Sequence, residues 1–219
     1  QKVKVRVLSI GEDGKINLTD TKGNIYILRN GYGLTVEKKA QTSPSDTKKK
    51  TGTNNFITAY IDHGASPQNA SYEYLMLVKP NSKEEGKYSK KLPYTVLQAD
   101  NSAHVVNDEI TGITAYISYK GYASDKTLLA QAEPETIVME RTKDDGEVVI
   151  SICTPDLGIT QKGYTTTQPS QVTVKKIVLN GIWTLSDPCD DVNISSSGSN
   201  TVIEVSCVHG QPVEITIKS

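Results

Sequence analysis

The feature of this sequence that most constrains its fold is a succession of short apolar runs separated by turn residues, from Tyr94 to the end of the chain. The runs are rich in β-branched residues, and pairs such as Asn180-Gly181 interrupt them, as antiparallel sandwiches require. Leu128–Ala132 is the one apolar segment of this half for which a helix is an option. The predicted strands are Tyr94–Gln98, His104–Val106, Ile113–Tyr119, Glu135–Glu140, Glu147–Cys153, Val172–Leu179, Ile182–Leu185, Val192–Ser195, Val202–Cys207 and Val213–Ile217. The sequence therefore predicts an all-β fold of antiparallel β-sandwich architecture.

The first half of the chain shows a similar pattern. Short turns separate three apolar runs, Val3–Ile10, Ile16–Leu18 and Ile25–Leu28. Phe56–Pro80 contains two further runs, joined by a polar connection that includes the turn Asp62-His63-Gly64. Because aromatic and β-branched residues dominate both runs, we expect them to pair like a hairpin and to form the core of the first half.

Two charged stretches interrupt this pattern. Lys38–Asn55 has no apolar residue except Ala40 and is expected to form a long hairpin loop, either mobile or functional. Asn81–Lys91 lacks a strand pattern, so we expect a helical turn or a linker there. A domain boundary in this second stretch gives two predicted domains, residues 1–92 and 93–219.

Charge and cysteine content exclude several classes of function. A net charge of −1 over 219 residues gives no global attraction for nucleic acid or an anionic membrane. No run has the roughly 18–20 apolar residues of a transmembrane helix. The chain opens inside a strand without a leader, so we expect a piece of a larger protein. Its three cysteines lack zinc-site spacing, and Cys189 and Cys207 either pair across neighbouring strands or stay free thiols.

The histidines are the first candidates for catalysis. Asp62 precedes His63 and would orient its imidazole as a general base, but the favoured interpretation is that both residues bond the backbone of their own turn. His104 and His209 have no acidic or nucleophilic partner at an informative spacing, and no nucleophile signature is present. The aspartates around Cys189 lack the Gly and Glu of a calcium-binding EF-hand loop. We therefore expect no catalytic and no metal-binding residue.

Tyrosine dominates the aromatic residues, with eleven against one Phe and one Trp. Tyrosine faces stack on sugars, but Tyr72, Tyr74 and Tyr116 fall in predicted strands, where packing is the favoured explanation. Tyrosines beside glycines in turns are better candidates for sugar binding. The lysine run in Lys38–Asn55 would contact an anionic ligand, although a solvated loop tip is its favoured interpretation. The candidate substrate-binding residues are therefore Tyr32, Tyr122, Tyr164, Lys48, Lys49 and Lys50.

Several collinear segments resemble the carboxy-terminal part of bacterial chondroitin ABC lyases, in the polysaccharide lyase family that also includes chondroitin AC and hyaluronate lyases. The resemblance runs over the chain from about Phe56, and residues 1–55 match less distinctly. The segments that carry it are Ala59–Gly64, Pro67, Ala70–Tyr74, Tyr94–Leu97, Ala103–Val106, Thr111-Gly112, Ala115-Tyr116, Thr154–Leu157, Val172–Val174 and Leu179–Trp183.

The resemblance implies a position in a parent enzyme. Residues 1–92 would be the last strands of a central β-supersandwich, and residues 93–219 a smaller carboxy-terminal β-sandwich, both preceded by helical and β domains of the same chain. The parent would be periplasmic or secreted. It would degrade a glycosaminoglycan, chondroitin or dermatan sulfate, by β-elimination. None of the family's catalytic His, Tyr, Arg and Glu motifs matches this chain, so the implied role is non-catalytic. No cofactor is expected in this part of the chain. For the parent enzyme, the resemblance leaves open a bound divalent cation such as calcium.

Two other functions remain open from the residues. One is a carbohydrate-binding module, which would hold anionic polysaccharide through the Lys48–Lys50 run and the turn tyrosines. The net charge of −1 predicts that such binding is weak. The other is a structural or adhesive β-sandwich of a surface protein, without lyase activity. In each case we expect Trp183 to be buried in the second sandwich.

Overall fold

The structure is a computed structural model that describes residues 6–10, 16–28, 33–44, 51–155 and 172–219. The chain divides into two compact units, Gln1–Leu92 and Pro93–Ser219. Within the described residues there are eighteen strands and one helix. They are β1 Arg6–Ile10, β2 Ile16–Thr19, β3 Ile25–Leu28, β4 Leu34–Pro44, β5 Thr51–Ile61, β6 Tyr74–Leu77, α1 Ser82–Lys90, β7 Tyr94–Ala99, β8 Ala103–Asp108, β9 Ile113–Ser118, β10 Tyr122–Ala123, β11 Leu129–Ala132, β12 Thr136–Thr142, β13 Val148–Cys153, β14 Thr173–Asn180, β15 Thr184–Leu185, β16 Val192–Ser197, β17 Asn200–Cys207 and β18 Val213–Lys218.

The first unit contains a four-stranded antiparallel sheet in the order β1-β2-β3-β6. Its buried side chains come from β2 and β3, where Leu18, Ile25, Ile27 and Leu28 are at most 6% exposed. Apolar residues at alternating positions of these short strands therefore form the small core of this unit. Its assignment to the end of a supersandwich stays a prediction.

The expected hairpin within Phe56–Pro80 is wrong. The two apolar runs lie in different sheets, because β5 pairs with β4 and β6 pairs with β3. Both runs are also exposed in this unit: Phe56 is 50% exposed and Val78 is 72% exposed. A β-rich sequence pattern predicts that a strand forms, but it does not identify the partner of that strand or the side that is covered.

Most of Lys38–Asn55, expected as a loop, is strand. β4 and β5 form a two-stranded antiparallel ribbon in continuous register, from Leu34 opposite Ile61 to Pro44 opposite Thr51. Threonine side chains pair across it, with the Thr42 and Thr53 hydroxyls 2.9 Å apart. The polar composition of this stretch hid the strands, because a ribbon exposed on both faces shows no alternation of apolar and polar residues.

The charged stretch before the second unit forms helix α1. Asn81 is its N-cap: its side-chain oxygen accepts hydrogen bonds from the backbone N–H groups of Lys83 and Glu84, at 3.0 and 2.9 Å. The Glu84 carboxylate in turn accepts the Asn81 backbone N–H at 2.9 Å, which completes a capping box. This nine-residue helix has no buried residue, so capping and solvation stabilise it more than packing does. No helix within the described ranges meets the length and hydropathy of a membrane span.

The second unit is a sandwich of two antiparallel sheets. One has five strands in the order β10-β11-β14-β17-β16, and the other has seven in the order β15-β18-β13-β12-β9-β8-β7. The side chains that face inward from both sheets form one cluster, which includes Val105, Ile150, Ile152, Ile177 and Ile203, all fully buried. This architecture confirms the predicted all-β antiparallel sandwich.

The strands predicted from Tyr94 onward are present, with ends that differ by at most two residues. Leu128–Ala132 is an exception to the helix option: it contributes strand β11, which pairs with β10 and β14. Trp183 was expected to be buried in the second sandwich, but it is only partly buried, at the edge of the core. Its indole Nε1–H donates to the Asn180 carbonyl at 2.7 Å, so the ring is fixed by a hydrogen bond as well as by packing.

Candidate functional site

The candidate site is a groove of about 480 Å³ in the first unit, which we call the tyrosine groove. Strands β2 and β3 form one part of it, the β4–β5 ribbon another, and the segment that leads into β6 completes it. The side chains that line it are mostly apolar or aromatic: Leu18, Tyr26, Leu28, Leu34, Ala59, Tyr60, Ile61, His63, Tyr72 and Tyr74. A ligand in a groove with this lining would be held through shape and apolar contact.

The aromatic side chains of the tyrosine groove form a connected row. The rings of Tyr72 and Tyr74 are stacked, with centroids 6.4 Å apart and an interplanar angle of 13°. Tyr26 extends the row at one end, 6.3 Å from Tyr74, and the His63 imidazole extends it at the other, 6.5 Å from Tyr72. These separations are typical of interacting aromatic pairs, so the row is a preformed surface.

The row faces outward. Tyr72 is 64% exposed and Tyr74 is 50% exposed, and Tyr60, which lines the groove beside the row, is 42% exposed. Tyrosines that merely complete a core lose most of their accessible surface, whereas these keep about half of theirs. A cluster of exposed aromatic side chains of this kind marks a surface that contacts another molecule or another part of the protein.

Two turns fix the ends of the row. The Asp62 carboxylate accepts the Gly64 backbone N–H at 2.8 Å, as expected from the turn interpretation, while the His63 side chain is exposed. In the other turn, the Asp20 carboxylate accepts from the backbone and side chain of Asn24 at 2.9 and 2.8 Å. Desolvation raises the pKa of Asp20, but the hydrogen bonds to its carboxylate lower it by more, so the pKa lies below its ordinary value. Desolvation, followed by the nearby Asp20 carboxylate, raises the pKa of Tyr26.

The groove lining is poor in charge. Its described residues include no lysine and no arginine, and their polar side-chain groups are tyrosine hydroxyls and one imidazole. This set can stack on or cover an apolar surface. Neutralising a carboxylate or a sulfate needs cationic donors, and the described part of the lining has none. No group of three or more histidine, cysteine, aspartate or glutamate side chains in the described parts could hold a metal ion.

The structure places only one of the predicted binding residues. Tyr122 is 5% exposed, its ring packs edge-on against Tyr116 at 5.2 Å, and its hydroxyl lies 2.7 Å from the Thr127 hydroxyl. A buried ring offers no face to a sugar, so Tyr122 is a core residue and not a stacking platform. The other candidates, Tyr32, Tyr164, Lys48, Lys49 and Lys50, lie outside the described residues.

The other histidines and the cysteines lie in the second unit. His104 is exposed at the start of β8 and packs edge-on against Tyr119, at 5.3 Å between ring centroids. Of the two interpretations left open for Cys189 and Cys207, the structure selects free thiols. Burial raises the pKa of Cys207, and the neighbouring Cys153 thiol raises it further.

One buried polar pair stands out in the second unit. The Tyr116 hydroxyl donates to the Glu140 Oε1 at 2.7 Å inside the sandwich, and Tyr116 is fully buried. Glu140 Oε2 is also buried, and no partner for it lies within the described residues. Desolvation raises the pKa of Glu140, although the tyrosine hydrogen bond opposes this shift. Tyr116 is fully buried and Glu140 is partly buried, so the pair lies where the core meets the surface.

Three tyrosines lie in environments that the sequence pattern did not predict. Packing was the favoured explanation for Tyr72 and Tyr74, which are exposed in the groove, and Tyr122, a candidate for stacking on a sugar, is buried. One sequence signal for the row was available: Tyr72 and Tyr74 are two residues apart, so an extended backbone directs both rings to the same side. Tyr26 and Tyr60 join them only through tertiary structure.

Comparisons with known proteins show what the chain is similar to. No protein-family model matches the chain. Over 206 residues, or 91% of the chain, it is 29% identical to the chondroitin sulfate ABC endolyase of Proteus vulgaris. Over 193 residues, or 78% of the chain, it is 32% identical to the chondroitin sulfate ABC exolyase of the same organism. The chain is related in sequence to the chondroitin ABC lyases. This confirms the resemblance seen in the sequence, and the chain spans about a fifth of the length of these relatives, 20% and 19%.

Solved polysaccharide lyases share the fold. The Streptomyces coelicolor chondroitin AC lyase matches with a TM-score of 0.67 at 16% identity, covering 93% of this chain and 28% of that one. A Paenibacillus xanthan lyase also matches with a TM-score of 0.67, at 18% identity, covering 93% of this chain and 20% of that one. The fold of this chondroitin ABC lyase relative is therefore that of a β-rich part of larger polysaccharide lyases.

Proposed function

We propose that this chain is a non-catalytic, carboxy-terminal β region of a longer lyase that degrades chondroitin or dermatan sulfate. The observation that carries the proposal is the asymmetry of the sequence match: 91% of the chain aligns with a chondroitin sulfate ABC endolyase, but only 20% of that enzyme is covered. Upstream helical and β domains of the same polypeptide would then complete the enzyme. The parent would be periplasmic or secreted, and any divalent cation such as calcium would be held outside this region.

The proposed reaction is β-elimination at the uronic acid. A base removes the C5 proton, the carboxylate charge is neutralised, and the glycosidic oxygen leaves with a proton. This chemistry needs a base, an acid and cationic groups around one sugar. The described lining of the tyrosine groove offers one exposed imidazole and no lysine or arginine, which supports a catalytic centre elsewhere in the polypeptide.

The test measures the unsaturated uronate product by its ultraviolet absorbance. The polypeptide encoded by the complete reading frame is expected to turn over chondroitin sulfate, whereas the 219-residue chain at equal concentration is expected to give no product. A His63→Ala variant of the complete polypeptide, as a control, should retain turnover. Product formation by the 219-residue chain alone would overturn the non-catalytic role. Inactivity of the complete polypeptide on every glycosaminoglycan would overturn the lyase assignment.

The second candidate function is a carbohydrate-binding module, and the exposed tyrosine row favours it. It predicts that the chain is retained on immobilised chondroitin sulfate in a salt-sensitive manner. Replacing Lys48–Lys50 by alanine should then abolish retention, because salt screens the attraction between lysine cations and an anionic polysaccharide. Retention that survives this replacement would point to the tyrosine row instead.

A further inference from the structure

Two of the three cysteines lie at the same end of the second unit. Cys153 is the last residue of β13 in the seven-stranded sheet, and Cys207 is the last residue of β17 in the five-stranded sheet. Residues 208–212 lead from Cys207 to β18, whose first residue, Val213, lies opposite Ile152. Because this short connection crosses between the sheets next to Cys153, the two strand ends that carry the cysteines are neighbours at one end of the sandwich.

The Cys207 sulfur is in contact with the chain beside Cys153. The backbone N–H of Thr154, the residue after Cys153, donates a hydrogen bond to this sulfur. Strands β13 and β17 are also in contact between the two sheets. A disulfide requires Cα atoms about 4.4–6.8 Å apart, a separation typical of residues in direct contact. Since Cys153 is the last paired residue of β13, its side chain needs only a local rearrangement at the strand end to reach Cys207.

The two thiols differ in access and in surroundings. Cys153 is half-buried, so a dissolved reagent meets it first, whereas Cys207 is 1% exposed. Burial and the nearby Cys153 thiol raise the pKa of Cys207. The Thr154 N–H and the Lys175 ammonium oppose this shift, and both favour the thiolate, the form that attacks a disulfide. The register of β14 with β17 sets Lys175 two residues from the position opposite Cys207.

We propose that Cys153 and Cys207 form a disulfide that joins the two sheets of the second unit when the chain meets a disulfide oxidant, either a small molecule or a protein. The structure, in which these thiols are free, is the reduced form. The proposal goes beyond the proposed function and does not depend on lyase activity. It gives Cys207 a different partner from Cys189, the one that the sequence suggested.

The reaction is two successive thiol–disulfide exchanges. The Cys153 thiolate attacks the oxidant RS–SR, so that a mixed disulfide forms and one RS⁻ leaves and takes up the proton that Cys153 lost. The Cys207 thiolate then attacks the Cys153 sulfur, and the second RS⁻ leaves and takes up the proton of Cys207. Two protein thiols are thereby oxidised to one disulfide, and the oxidant is reduced to two thiols.

The position of Cys189 makes it the less suitable partner. The Val192 N–H donates to the Cys189 carbonyl at 3.2 Å, so the chain turns between Cys189 and β16, and the register of β16 with β17 begins only at Val192. Cys189 therefore lies outside the ladder that leads to Cys207. A periplasmic or secreted parent, which belongs to the proposed function, would provide the oxidising compartment in which such bonds persist.

Oxidised glutathione is the probe for the test. The reduced 219-residue chain is incubated with it in the folded state, the remaining thiols are blocked with iodoacetamide in denaturant, and the chain is digested without reductant. Trypsin and a glutamate-specific protease separate the three cysteines, because cleavage after Lys162 and Glu204 leaves each in its own peptide. Mass spectrometry should detect the Cys153 and Cys207 peptides linked to each other and the Cys189 peptide alkylated.

Serine variants give an independent measurement. Oxidation should raise the thermal unfolding midpoint of the second unit by about 5–15 °C in the wild type and in C189S, because the bond restricts the unfolded chain. C153S should show no such rise, and its circular dichroism spectrum verifies that it is folded. C153S is preferred to C207S, since Cys207 is a core residue whose replacement also alters packing.

Three results would overturn the proposal: unmodified thiols in the folded wild type, a mixed disulfide that stays on Cys153, or a link through Cys189. Oxidation in urea is the control for selectivity, since the unfolded chain should give all three pairings. The same mixture from the folded chain would also overturn the proposal. The lyase assay reports separately, because a complete polypeptide without lyase activity would reject the proposed function and leave the Cys153–Cys207 bond unaffected.

Discussion

Replacing Tyr116 by phenylalanine probes the buried Tyr116–Glu140 pair with little change in shape. The variant keeps the ring, which packs on Tyr122, and removes only the hydroxyl that donates to Glu140 Oε1 at 2.7 Å. Since Glu140 Oε2 has no partner within the described residues, the change leaves the carboxylate without a side-chain donor there. A hydrogen bond to a charged group contributes about 1.5–3 kcal/mol to stability. We expect Y116F to lose about this amount where Glu140 is ionised.

The sign of the pH dependence follows from the raised pKa of Glu140. Desolvation raises this pKa in the folded chain above its ordinary value of 4.5, so folding favours the protonated form. The stabilisation from protonation is complete below the unfolded value and is lost as the pH rises through the folded pKa. Because Tyr116 lowers that pKa, Y116F should raise it further, and the loss of stability relative to wild type should grow with pH and then level off.

The assay is urea unfolding followed by the fluorescence of Trp183, the single tryptophan, which reports on the second unit. Measurements from pH 4 to pH 8 should show the widening difference. Y122F is the matched control: its hydroxyl pairs with the neutral Thr127 hydroxyl, so its cost should be about 0.5–1.5 kcal/mol and independent of pH. Adding E140Q to Y116F should remove the pH dependence. A cost for Y116F below about 0.5 kcal/mol at every pH would refute the reasoning.

Three further predictions concern local features. Gly181→Ala should destabilise the second unit by about 1–2 kcal/mol, since Gly181 has φ +90° and a Cβ there would lie 3.2 Å from the Trp183 indole nitrogen. Gly146→Ala, with φ +86° and open space, should cost less in the same urea titration, and equal costs would contradict a role for the indole. Asn81→Ala should lower the thermal stability of the first unit by about 1 kcal/mol, because it removes the helix cap. Asn81→Asp should keep the cap and the stability, and an unchanged stability of Asn81→Ala would contradict the capping argument. Cys207, 1% exposed with a raised pKa, should resist iodoacetamide in the folded chain and react after denaturation, whereas rapid native alkylation would contradict its burial.

The local strand pattern of the second unit was visible in the sequence. Alternating apolar residues with Asn-Gly and Asp-Gly turns specify short strands, since period two is a property of the extended backbone itself. The same alternation places Glu140 on the inward face with Val138, so an unusual buried carboxyl was detectable in principle. Its partner was not, because Tyr116 reaches it only through the register that sets β9 against β12.

The exposure of the tyrosines in the groove, in contrast, was not visible in the sequence. Sequence spacing places Tyr72 and Tyr74 on one side of an extended segment, but whether that side is covered depends on which strands pair. β6 joins β3, and β5 joins β4, so the two apolar runs that looked like one hairpin lie in separate sheets. The sequence alone determined the fold class and the relationship to chondroitin ABC lyases, because both depend on local patterns and collinear matches. Only the tertiary structure decided which tyrosines are exposed, because burial depends on contacts between residues far apart in the chain.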